Sequence, residues 1–117
     1  MKTQDILGYF SIIGTNQDDS KNTYKGKLFL SLDDDRKIIA KWLINNTQEQ
    51  FGTGYFKNNI LVINFYYKSI EGEIFKGKVI YKCLTKDILE GIWTEDFGNP
   101  EFVGTENCFR IKNEILN

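Results

Sequence analysis

Apolar and polar residues alternate one by one along most of this chain, and short polar runs break the alternation before any segment grows long. A period of two is the spacing of a strand, whose successive side chains point to opposite faces. It predicts eight strands, near 5–14, 23–32, 37–45, 50–56, 60–68, 73–83, 88–95 and 102–112. The intervening runs, such as "DDDR", "KNN", "TKD" and "DFGNPE", have the length and residue types of hairpin turns. The lone proline, Pro100, falls in the last of them and not inside a strand. "KIIAKWLI" is the segment closest to a helix, but its β-branched and aromatic residues favour a strand. Eight consecutive antiparallel strands must hide their edges. An up-and-down meander barrel closed between the first and last strands removes both edges, and a two-sheet β-sandwich satisfies the same alternation.

Residues 24–42, "YKGKLFLSLDDDRKIIAKW", align without a gap to residues 75–93, "FKGKVIYKCLTKDILEGIW". Both open on aromatic-Lys-Gly-Lys, turn midway and close on tryptophan, Trp42 and Trp93. The match divides a single domain, 1–117, into four-strand half-repeats at 5–56 and 60–112. It also predicts the inner face. Within each copy the lysines, Lys25 and Lys27 or Lys76 and Lys78, share one face, while Leu28, Leu30 and Trp42 or Val79, Tyr81 and Trp93 share the other.

The composition closes off several chemistries. The chain has no histidine, which removes His-based triads, imidazole acid–base catalysis and imidazole metal sites. Cys83 and Cys108 are too far apart for a CxxC pair and are expected as free, buried thiols; no metal and no cofactor is expected. The formal net charge of −1, with both signs interspersed, gives no footprint for nucleic acid. No apolar run is long enough for a membrane-spanning helix, and "MKTQDILGYFSII" lacks a signal-peptide cleavage pattern, so a cytoplasmic protein is expected.

Four features invite a functional reading. Gly52-Thr53-Gly54 resembles the start of a phosphate loop, but position 57 is lysine and a strand follows where a helix is needed. These glycines and Gly104 are read as bulges or bends. "LDDDRK" lacks the alternating ligands and glycine of a calcium loop and reads as a solvated turn. Glu106 and Arg110 share one face of the last strand, about 13 Å apart. Turned inward they are polar anchors in an apolar barrel; turned outward, the commoner place for such residues, they are surface charges. Trp42, Tyr55, Phe65, Tyr81 and Trp93 form an aromatic set that either lines a ligand cavity or fills the core.

Gly8-Tyr9-Phe10 on the first strand resembles the G-x-W opening of the calycin superfamily, the lipocalin-like and avidin-like barrels, with Phe10 where tryptophan is usual. The meander, the short hairpins and "LEGIW" at 89–93 are similar as well. The resemblance implies a small barrel with a site in its mouth. The expectation is a non-catalytic barrel that binds a small apolar or aromatic ligand through Trp42, Tyr55, Phe65, Tyr81, Trp93, Glu106 and Arg110. The alternative is a filled interaction domain that self-associates as a homo-oligomer through Phe29, Ile39, Leu43, Ile80 and Ile92 on the outer sheet face. An enzyme using acidic and tyrosine groups is the third reading.

Overall fold

The computed structural model describes residues 1–112. Its strands are β1 (Gly8–Thr15), β2 (Thr23–Leu32), β3 (Ile38–Ile44), β4 (Gln48–Lys57), β5 (Ile60–Lys68), β6 (Ile74–Thr85), β7 (Ile88–Glu95) and β8 (Gly104–Arg110). Each pairs antiparallel with the next, and β8 returns to β1, so the sheet is a closed up-and-down barrel and not a sandwich. Residues 113–117, the end of the 1–117 domain reading, lie outside the described residues.

Several predicted boundaries move by one to three residues, and those at the start of β1 and β8 matter most here. Residues Thr3–Ile6 form a 3₁₀ turn and not the start of β1, because the chain folds inward there and buries Ile6 beneath the barrel. β8 begins at Gly104, after a loop spanning 96–103. The turns follow their residue types. Asn45, Asn46, Asn58 and Asn59 all take positive φ, between 52° and 65°, in the three-residue turn 45–47 and the two-residue hairpin 58–59. In "LDDDRK" the Asp33 carboxylate accepts the backbone N–H of Asp35 and of Lys37, at 2.9 and 2.8 Å, and so organises the turn itself.

The aligned hairpins pair in the same register. Leu28 faces Trp42 as Val79 faces Trp93, and Leu30 faces Ala40 as Tyr81 faces Gly91. Among the described residues the ladder shifts once, between Cys83 and Thr85. Pairing runs unbroken through Gly52, Gly54 and Gly104, so these glycines are not bulges. Their reason is space. A Cβ on Gly104 would lie 2.0 Å from Cε2 of Trp93, and one on Gly91 would lie 2.5 Å from the Tyr81 ring.

The inward residues form one cluster, from Ile6 and Phe10 at one end to Trp42, Ile44 and Phe65 towards the other. Cys83 and Cys108 are buried and free. The end beneath the 3₁₀ turn is sealed. Arg110 lies 4.7 Å over the Phe10 ring and donates to the carbonyls of Leu7, Asp5 and Lys86, at 2.7, 2.6 and 2.7 Å, and to Asp87 Oδ1 at 2.9 Å. Desolvation would raise the Asp87 carboxyl, but Lys112 and Arg110 outweigh it and hold it below its ordinary value. Of the outer apolar residues, Phe29 and Ile39 are half-buried, while Leu43, Ile80 and Ile92 are exposed.

Candidate ligand cavity at the barrel mouth

At the end opposite Arg110 the barrel is hollow. A cavity of about 210 Å³ opens between the last inward residues of the strands, walled by Tyr24, Trp42, Phe65, Tyr67 and Trp93 and floored in part by Glu106. The rings form an edge-to-face series, with Tyr24–Trp93, Trp93–Phe65 and Phe65–Trp42 centroids 6.5, 6.3 and 6.1 Å apart. Strand alternation brings them together. Phe65 and Tyr67 are successive inward positions of β5, as Trp93 and Glu95 are of β7.

Glu106 is the buried charged residue of the core, 5% exposed. Its carboxyl accepts three hydrogen bonds, from Tyr24 at 2.5 Å, from Trp42 Nε1 at 3.0 Å and from Tyr81. Burial raises its carboxyl above the ordinary value, although those three donors pull the other way. Burial first, and the Glu106 charge second, push the Tyr24 and Tyr81 hydroxyls up, so both remain protonated donors. Burial and then Glu106 likewise raise the Cys108 thiol, and burial takes Cys83 to about 11, so neither is a thiolate nucleophile near neutral pH. Nearer the rim, Tyr67 donates to Glu95 Oε1. Burial, then that bond, raises the Tyr67 hydroxyl. Trp93 Nε1 is buried and makes no hydrogen bond of good geometry, although it lies near enough to the Tyr24 hydroxyl to offset part of that group's upward shift.

The structure therefore gathers Trp42, Phe65, Trp93 and Glu106 around the cavity, with Tyr81 buried just beneath and bonded to the same carboxyl. Two of the sequence-derived residues lie elsewhere. Tyr55 is on the outer face, 66% exposed, because Gly52, Gly54 and Phe56 hold the inward parity of β4. Arg110 points inward but at the sealed end, one residue pair beyond Cys108, and cannot reach the mouth. Sequence reasoning missed Tyr24, Tyr67 and Glu95. Each shares its strand's inward parity with a residue already assigned to the interior, namely Leu28, Phe65 and Trp93.

No protein-family model matches the chain, and no curated protein matches it in sequence. Solved structures do resemble it. EF1p2_mFAP2b bound to DFHBI superposes with a TM-score of 0.68 at 14% identity, covering 92% of this chain and 95% of that one. A redesigned β-barrel, mFAP1, also bound to DFHBI, gives 0.66 at 15% identity over 92% and 96%. A third structure, from the de novo design of a fluorescence-activating β-barrel, gives 0.64 at 12% identity over 92% and 95%. At such identity the likeness is one of fold, a small eight-stranded barrel.

Proposed function

We propose that the protein is a non-catalytic, calycin-like barrel that binds a small aromatic ligand in its mouth. The observation that carries this reading is the aromatic-walled cavity of about 210 Å³ with an unpaired buried indole N–H in its wall. Its volume lies below the roughly 300 Å³ at which drug-sized pockets begin, so the ligand has one or two rings. Further support comes from the fold neighbours mFAP1 and mFAP2b, both of which are bound to DFHBI. The buried tyrosine–glutamate cluster works as a scaffold. Three donors fixed on Glu106 hold Trp42, Tyr24 and Tyr81 in place and leave the cavity preformed. The test is a tryptophan-emission titration with one- and two-ring aromatic compounds, paired with thermal unfolding. Saturable quenching with a raised Tm supports the reading, and a panel that moves neither signal overturns it.

Self-association through the outer face is a second reading, favoured by the adjacent, exposed Ile80 and Ile92 on β6 and β7. Sedimentation of the purified protein across a concentration series tests it, and a constant monomer mass removes it.

A further inference from the structure

The two ends of the barrel differ in charge. Connections 16–22, 45–47, 69–73 and 96–103 all lie at the mouth, because β1 runs towards it and every second turn returns there. They carry Asp18, Asp19, Glu71, Glu73, Asp96 and Glu101 against one base, Lys21. At the sealed end, Asp5, Asp33, Asp34, Asp35 and Asp87 are matched by Lys2, Arg36, Lys37, Lys86 and Lys112. The formal net charge of −1 thus conceals a strongly acidic mouth. Lysines near this end, such as Lys25, Lys68 and Lys76, are exposed on the outer face of their strands.

The cavity continues the pattern. Its lining includes Glu95 and Glu106 and no lysine or arginine. The hydroxyl and indole donors of Tyr24, Trp42 and Tyr81 are all committed to Glu106, and that of Tyr67 to Glu95. What the cavity offers a newcomer is therefore acceptor oxygen, aromatic faces whose π-clouds are negative, and the uncharged donors of Trp93 Nε1 and the Asn16, Asn45, Gln48 and Gln50 amides, with no positive charge among them. Such a site favours a cation over a neutral molecule and rejects an anion. The acidic rim would also raise the local concentration of cations and speed their entry.

We infer that the ligand of the mouth cavity is a small arylalkylammonium, a single aromatic ring on a short chain that ends in a protonated amine. The inference rests on the proposed binding function and narrows its ligand class. The ring packs among Trp42, Phe65 and Trp93, and the ammonium sits against the Glu106 and Glu95 side of the cavity.

Three isosteric probes separate this inference from the reading beneath it: 2-phenylethylamine, 2-phenylethanol and phenylacetate, titrated against tryptophan emission at one ionic strength. The amine is expected to bind about tenfold more tightly than the alcohol, with no saturable binding of phenylacetate. Equal binding of amine and alcohol, or tighter binding of phenylacetate, overturns the cationic ligand and leaves an aromatic-binding barrel standing. Failure of all three overturns both. Glu95→Gln at the rim and Glu106→Gln in the floor should each lower amine affinity severalfold while leaving the alcohol unchanged. Glu95→Gln serves as the control should Glu106→Gln unfold the barrel, and unchanged amine affinity in a folded Glu95→Gln variant that retains its preference over the alcohol overturns the role given to Glu95. Loss of amine preference in neither folded variant overturns the ammonium site.

Discussion

Glu106 and Arg110 belong to one strand and one face, yet they serve opposite ends of the barrel in opposite ways. Arg110 finds a protein partner for each nitrogen of its guanidinium and covers the Phe10 ring, so that end is finished. Glu106 is also fully engaged, but the rings it fixes enclose empty volume and leave Trp93 Nε1 unpaired. A charge used as a lid contributes to stability alone. A charge used to brace side chains around a void gives up packing there so that another molecule can supply it.

If the ends are independent, changes at each should move different observables. Arg110→Ala strips the 3₁₀ turn and Asp87 of their shared donor and should cost about 3 kcal/mol, lowering Tm by roughly 10 °C. Ligand affinity at the mouth should stay constant; a parallel loss of affinity would show that the lid and the cavity act as one unit. Gly104→Ala attacks the other end. Its methyl group would displace Trp93, so we expect a smaller loss of about 2 kcal/mol, a shifted tryptophan emission and abolished ligand binding. Unaltered binding in this variant would mean that Trp93 is not part of the wall.

Glu106→Gln sharpens the comparison through pH. The folded value of the Glu106 carboxyl is raised above its ordinary one, so at a pH between the two values the native protein keeps a proton that the unfolded chain has released. Its contribution is complete below the unfolded value and is lost as pH rises through the folded value. Urea unfolding from about pH 4 to about pH 8 should show wild-type stability falling relative to the variant, and a flat difference would contradict the burial argument. Tyr55→Ala should do least, about 0.5 kcal/mol or less with ligand affinity unchanged, since Tyr55 lies outside both ends on the outer face.

The barrel was legible because its signal is period two, which survives in any half-buried strand. The doubled asparagines also named their turns, since few residues accept positive φ twice in succession. The site was read less completely, and the reasons are specific. In β4 the inward positions are Gln48, Gln50, Gly52, Gly54 and Phe56, a face too poor in apolar side chains to declare itself, which let Tyr55 pass for an inward residue. Around β8 the exposed Val103, just before the strand, and the outward Phe109 are as apolar as the inward Cys108, so parity alone could not orient Glu106. Arg110 had the right parity but the wrong end, because alternation reports which face a residue occupies and not how deep it lies. The 3₁₀ turn was read as strand because its one buried residue, Ile6, fits either pattern.

Closure of β1 on β8 has a consequence for how the protein is made. The pairs Phe10–Arg110 and Ile12–Cys108 join residues from opposite ends of the chain. During synthesis β1 emerges before the other strands and must wait as an open edge until β8 has left the ribosome. The last strand to arrive also carries Glu106, the acceptor that orders Tyr24, Trp42 and Tyr81. Closure and site assembly therefore fall together when β8 arrives, as one slow, non-local step. A nascent chain halted after β7 should show no intermediate binding capacity, and its unpaired edges would make it a substrate for chaperones.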